Sequence, residues 1–353
     1  MNDLPKKILI IQTAFLGDLI LSLPLIKIVK KSLPDVKVDV LCIPFTSEII
    51  KNDPRINEII KYDKRGKDKG VSGFKRIVNT VRNNNYDAII SPHRSFRSSL
   101  ISFLSRCKFT VSFDTSAGAY LYKYKVKYLN DVHEIVRDLS LLKPMSDHFN
   151  IKFNIEQKVL LPELFTSEND ISKIDKILKE NVPEQNFKKL VIAPGTIWNT
   201  KRYPEEYFAE LCKELSDENV KIFLIGSKKD IEISKLIKDT SGNKNVIDLT
   251  GSLSITESTE LISRCDLLIT NDSAPLHIGS SVKTQTFAIF GATVPAFGFF
   301  PLGEEDKIFE TLGLPCRPCS IHGGDKCPIG TFVCMRNIKP SILSSEIINT
   351  LQL

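Results

Sequence analysis

Lys7-Ile8-Leu9-Ile10-Ile11-Gln12 runs straight into Thr13-Ala14-Phe15-Leu16-Gly17-Asp18-Leu19. An unbroken aliphatic run ends at a small-residue turn, and a helix is predicted from about Gly17 to Lys31. A run without polar alternation predicts a strand covered on both faces, as in a parallel sheet. Outward from this stretch the same alternation repeats, with strands predicted at 38–42, 57–62, 87–91 and 109–113. Helical patterns at about 74–84, 96–105 and 131–142 fill the intervals. From Pro144 to about Asn186 the alternation lapses, apart from a polar helix near 168–180. A second series opens at Lys189-Leu190-Val191-Ile192-Ala193 and continues at 221–225, 246–249, 266–270 and 286–290. Its helices are predicted near 204–216, 229–239 and 256–264, with a closing helix at 341–351. Strand–helix alternation of this kind gives the α/β class, as two Rossmann-like, doubly wound parallel sheets. The expected organisation is a first domain over 1–165, a linker over 166–187, a second domain over 188–338 and a terminal helix over 339–353.

A chain of 353 residues exceeds one ordinary core. Its 42% hydrophobic and 25% charged residues are those of a folded, soluble protein. No window approaches the roughly 18 apolar residues of a membrane-spanning helix. The first residues lack the apolar core of a secretory signal, so a cytoplasmic location is expected. The net charge of +6 is a mild bias that suits an anionic substrate or a membrane surface. A basic helix interleaved with aromatics is missing, which disfavours nucleic acid as a partner.

In doubly wound sheets ligands bind beyond the carboxyl ends of the strands, and two such domains facing a cleft are expected to line it with both sets of ends. Three stretches there carry chemistry. Asp18, after the first strand, reads either as a helix cap or as a carboxylate base whose pKa the helix dipole keeps low. Pro194-Gly195-Thr196-Ile197-Trp198-Asn199-Thr200-Lys201-Arg202-Tyr203-Pro204 is either a solvated loop or a diphosphate site neutralised by fixed cations. Asn271-Asp272-Ser273-Ala274-Pro275-Leu276-His277 opens a helix with Ser273 as a natural N-cap, and its exposed N–H groups suit an anion. The chain has no G-x-G-x-x-G after its first strand and no Walker A sequence.

Taken together, Gly17-Asp18 with Leu23-Pro24, the 194–204 segment and the 271–277 segment resemble glycosyltransferase family 9, nearest its heptosyltransferase II branch. The resemblance runs in order over nearly the whole chain and is weakest at about 115–185. It implies a GT-B fold with an acceptor-binding first domain and an ADP-sugar-binding second domain. It also implies inverting transfer of L-glycero-D-manno-heptose from ADP-heptose to the lipopolysaccharide inner core at the inner-membrane surface, with no catalytic cofactor. Carried over residue by residue, Asp18 matches the general base. Thr196, Lys201, Asp272, Ser273, Ala274 and His277 match the donor site, with Asp230 near the ribose and Leu253 against the adenine. Asp230 stands where relatives often have Glu, and Ala274 where Gly is more usual. Gly17, His93, Arg94 and Arg97 are the expected acceptor residues, the arginines facing its carboxylates or phosphates. Lys61, Lys64, Arg65, Lys67 and Lys69 form a looser basic loop.

Cys316, Cys319, Cys327 and Cys334 form a C-x2-C-x7-C-x6-C cluster among the eight cysteines. In a cytosolic chain this favours a metal, with structural zinc ahead of an iron–sulfur cluster, and four free thiols as the alternative. Two rival functions stay open: a GT-B transferase using another nucleotide sugar, and a non-catalytic sugar-nucleotide-binding protein.

Overall fold

Burial follows the aliphatic runs. In the computed structural model, which describes residues 3–155, 161–182 and 186–353, Ile8, Leu9, Ile10 and Ile11 of β1 (Lys7–Ile11) are completely buried. Each such side chain contributes about 1.5–3 kcal/mol. α1 (Leu16–Ser32) is apolar almost all round and is correspondingly buried on most of its surface. The acid of β2 (Lys37–Cys42), Asp39, is fully buried but paired. It accepts from Asn57 Nδ2 and Tyr86 Oη, both at 2.7 Å, and faces Lys7 Nζ at 3.2 Å. The chain continues through α2 (Pro44–Ser47), β3 (Glu58–Lys61), α3 (Gly70–Asn83), β4 (Ala88–Ile90), α4 (Phe96–Leu104), β5 (Phe109–Phe113) and β6 (Tyr124–Val126). α5 (Glu134–Ser140) and α6 (Lys143–Phe149) follow.

The chain falls into two compact units, Met1–Phe165 and Thr166–Leu353. The second comprises α7 (Glu168–Asn181), β7 (Lys188–Ala193), α8 (Glu205–Glu214), β8 (Val220–Leu224), α9 (Ile231–Ser241), β9 (Val246–Asp248) and α10 (Ile255–Ser263). After these come β10 (Leu267–Asn271), α11 (Ala274–Val282), β11 (Thr286–Phe290), β12 (Lys307–Glu310), α12 (Val333–Arg336) and α13 (Pro340–Leu351).

Each unit holds a six-stranded sheet, ordered β3-β2-β1-β4-β5-β6 in the first and β12-β11-β10-β7-β8-β9 in the second. All pairings are parallel. Counted from its own first strand, each sheet reads 3-2-1-4-5-6, the doubly wound order. The order reverses between β1 and β4 in one sheet and between β7 and β10 in the other. Chain leaving the carboxyl ends of those strand pairs diverges to opposite sides, and the gap is where such folds hold ligands.

The stretch 166–187 holds α7, the polar helix expected near 168–180, which starts with a capping box between Ser167 and Asp170 and packs on α10 within the second unit. Asp170 accepts from Thr256 Oγ1 at 2.9 Å, and Lys173 pairs with Glu257 at 2.8 Å. Residues 183–185 of that stretch lie outside the described residues. The helix predicted over 131–142 is the shorter α5, and a further helix, α6, follows beyond it with Pro144 accepted in its first turn. Finally, β6 and β12 are short, half-exposed edge strands whose polar residues mask them.

Candidate active site

In the first unit, the turns after β1 and β4 are fastened to each other. Thr13 Oγ1 and Ser98 Oγ lie 2.9 and 3.2 Å from His93 Nδ1, and Lys64 Nζ donates to the Thr13 carbonyl at 2.7 Å. Burial, then Lys64 and Arg94, push the His93 pKa down to about 4, so the ring is neutral at pH 7. His93 therefore ties the two turns together. Of the looser basic loop, Lys64 turns inward, whereas Arg65, Lys67 and Lys69 are exposed and Lys61 pairs with Glu48 at 3.3 Å. Arg97 is exposed near Lys64, and the Arg94 guanidinium lies 4.1 Å from the centre of the Tyr128 ring.

Asp18 sits in the first turn of α1, partly buried. The low pKa expected from the helix dipole is not found. Burial, then the Glu134 carboxylate, push it up to about 6, against the opposing pull of the Asp18 and Phe15 backbone N–H groups and of Arg94. The reason is that α1 packs on α5, which brings further acids alongside. Glu134 is ion-paired with the buried Arg137 at 2.5 Å. Asp138 is 1% exposed, and among the described residues neither of its carboxylate oxygens has a hydrogen-bond partner. Burial, then Glu134 and Asp18, raise the Asp138 pKa well above its ordinary value. Asp18 is thus a carboxylate that is ionised at neutral pH yet more basic than a solvated one, which suits a general base.

In the second unit, the loop after β7 and the turn after β10 meet through Asn271. Its Nδ2 donates to the Pro194 carbonyl at 2.9 Å, and its Oδ1 accepts from the Tyr203 N–H at 2.8 Å. That pins the loop's ends and directs Lys201 at Asp272, Nζ to Oδ2 2.6 Å. The same oxygen accepts from Thr293 Oγ1 at 2.6 Å. Thr196 Oγ1 accepts from the Trp198 N–H at 3.3 Å, while Arg202 Nη2 donates to the Thr196 carbonyl at 3.1 Å.

Ser273 occupies the N-cap position of α11, but its hydroxyl makes no cap bond and lies 3.4 Å from Thr270 Oγ1 and the Asn271 carbonyl. In that first turn Pro275 carries no N–H and the Leu276 N–H donates to the Ser273 carbonyl at 3.1 Å. Ala274 does not have positive φ, so its methyl group costs the backbone nothing. His277 is buried, its ring 6.4 Å from that of Phe299. Asp230 Oδ2 accepts from the Ser227 N–H and hydroxyl, at 2.8 and 2.7 Å, and so caps the turn after β8. It also presses on the loop after β7, since a Cβ added at Gly195 would lie 2.4 Å from Asp230 Oδ1. Leu253 is half-buried in the turn after the edge strand β9.

The family model for glycosyltransferase family 9 (heptosyltransferase) matches residues 74–324. The chain belongs to glycosyltransferase family 9. Among sequence relatives of this family 9 enzyme is lipopolysaccharide heptosyltransferase 1 of Campylobacter coli, 29% identical over 86% of this chain and 89% of that protein. Among solved structures, a family 9 glycosyltransferase from Veillonella parvula superposes with a TM-score of 0.82 at 19% identity, covering 98% of this chain and 97% of the other. The Escherichia coli ADP-heptose lipopolysaccharide heptosyltransferase II superposes with a TM-score of 0.77 at 21% identity, covering 98% of each. The fold is therefore the two-sheet GT-B fold, and the chain is a glycosyltransferase.

Within this family 9 chain, the motif reading located Asp18, Lys201 and Asp272 but not the residues that hold them. Glu134, Arg137 and Asp138 come from a helix far along the chain, and nothing local in the sequence marks them as neighbours of Asp18. Asn271 and Thr293 could have been suspected from their places after β10 and β11. The cysteines are a different matter. Cys319 feels Cys316 and Cys327, and Cys334 feels Cys319 and Cys327, so the thiols are neighbours. Yet among the described residues no group of three or more His, Cys, Asp or Glu side chains could hold a metal ion.

Proposed function

We propose that this glycosyltransferase moves L-glycero-D-manno-heptose from ADP-heptose to the inner core of lipopolysaccharide, with inversion at the anomeric carbon and without a divalent ion. The observation that carries the reading is the Lys201–Asp272 ion pair at the β7/β10 switch point, beside the uncapped start of α11. A fixed ammonium beside the positive end of a helix dipole suits a leaving diphosphate. The heptose and the acceptor come from the likeness to lipopolysaccharide heptosyltransferases.

In the proposed step Asp18 takes the proton of the acceptor hydroxyl, and that oxygen forms its bond to the anomeric carbon. The bond to the β-phosphate oxygen breaks on the opposite face, and its electron pair departs with ADP. Lys201 and the α11 start stabilise the charge that develops there. Thr196 and Asp230 flank the nucleotide, and Arg94 and Arg97 attract the anionic acceptor. Asp272 positions Lys201 and the donor sugar. The acceptor lies at the cytoplasmic face of the inner membrane in this proposal, and none of the described helices is long and apolar enough to cross a membrane.

Calorimetric titration with ADP, UDP and GDP, in EDTA, tests the donor. Selective ADP binding is expected, followed by heptose transfer to a truncated core acceptor in the same buffer. A preference for UDP overturns the donor assignment, and loss of transfer in EDTA overturns metal independence. ADP binding with no turnover on any core acceptor would favour a non-catalytic binder.

A further inference from the structure

We propose that the loop 316–324 is a brace that sets both partners of the Lys201–Asp272 pair in place, with Arg317, Gly323 and Gly324 as its positioning residues. The inference rests on the donor-site reading and gives the cysteine-bearing loop a role that needs no metal.

The brace has two arms. The first reaches the lysine. The Thr200 N–H donates to the Gly324 carbonyl at 3.0 Å, and the Gly324 N–H donates to Thr200 Oγ1 at 2.8 Å. This reciprocal pair fixes the residue just before Lys201. Gly323 lies against the lysine stem itself, where an added Cβ would be 2.9 Å from Lys201 Cγ and 3.1 Å from Cδ. Its φ of +83° is one that residues with side chains rarely adopt, so both space and backbone call for glycine there.

The second arm reaches the aspartate. The side chain of Arg317 is 5% exposed and pairs with Glu310 at 2.6 Å. Its guanidinium donates to the Gly291 carbonyl at 2.6 Å, the Thr293 carbonyl at 2.8 Å and the Thr311 carbonyl at 3.0 Å. The Cys319 N–H adds a bond to the Ala292 carbonyl at 2.9 Å. The turn after β11 is therefore gripped at 291, 292 and 293. Thr293 passes that placement on, because its hydroxyl donates to the same Asp272 oxygen that holds Lys201 Nζ. Only a planar, multi-donor head can span these carbonyls, and a lysine at 317 could satisfy one or two of them. Cys316 and Cys319 bracket Arg317, so the cysteine motif and the brace are one piece of chain.

The test compares Gly323→Ala, Arg317→Lys and Lys201→Ala in the full-length chain. It measures ADP affinity by calorimetry, KM for donor and acceptor, kcat, and the melting temperature. Gly323→Ala is expected to weaken ADP about tenfold, a coupling within the range of contacting residues. Acceptor KM should stay unchanged and the melting temperature should fall only by what the positive φ costs an alanine, equally with and without Lys201, a split that a general loss of structure would not give. On a Lys201→Ala background the same change should add little, because the lysine it displaces is gone. Unchanged ADP affinity in Gly323→Ala overturns the brace, as does an equal loss with and without Lys201. Should Arg317→Lys fail to fold, the Gly323 series decides alone. Should Lys201→Ala itself leave ADP affinity intact, the donor-lysine reading fails instead, and the two failures are told apart.

Discussion

At the scale of single residues, the site depends on charges kept out of their ordinary state. Asp18 has a folded pKa of about 6 against an ordinary value of 3.8. The acid limb of kcat/KM is therefore expected near pH 6, with activity falling as pH drops through it, in a pH–rate series. Glu134→Gln removes the nearest raising charge and should move that limb to lower pH. Asp18→Asn should abolish turnover while ADP affinity, read by calorimetry, stays within a few-fold. The same substitution has a stability signature. Folding raises this acid's pKa, so its ionised form costs stability above about pH 6, and the cost is relieved as pH falls from about 6 to 3.8. Asp18→Asn should accordingly melt about 2–4 °C higher than the parent at pH 8, with the gain gone at pH 4. In the second unit, Lys201→Ala should weaken ADP by about 1.5–3 kcal/mol, the range for hydrogen bonds to charged groups.

At the scale of elements, the loop between β7 and α8 is shaped chiefly by Asn271, which is completely buried and satisfies both a carbonyl and an N–H across the switch point. Asn271→Ala leaves both groups short of a partner and should cost about 2–4 kcal/mol by chemical denaturation, with a raised donor KM. The buried central strands β1, β7 and β10 could be read directly, because continuous aliphatic runs leave no other structure open to them. Edge strands could not. Tyr124-Lys125-Val126 and Lys307–Glu310 each pair on one side only, so they need no long apolar run and carry charges instead. α11 was visible only at its start, since Gly279, Ser280 and Ser281 give no helical stripe and the helix persists through packing. Among site residues, those following strands within a motif were legible. Those supplied by another element, such as Asp138 on α5 or Arg317 beyond β12, depend on packing that no local pattern encodes.

At the scale of the molecule, the same strand order appears twice, and in each unit the two turns beside the reversal carry the candidate chemistry. Asp18 and His93 follow β1 and β4, and Lys201 and Asp272 follow β7 and β10. Hydrogen exchange with saturating ADP should protect 194–203, 272–277 and, through the brace, 316–324, leaving 13–19 as in the free protein. Protection confined to 13–19 would reverse the assignment of the two units. The bare beginning of α11 has a consequence for handling the enzyme. A helix whose serine does not cap it gains from an anion near its positive end, so on the proposed donor reading a bound nucleotide adds stability. Preparations without it should melt lower, and millimolar sulfate or inorganic phosphate should behave as a stabiliser and a competitive inhibitor at once.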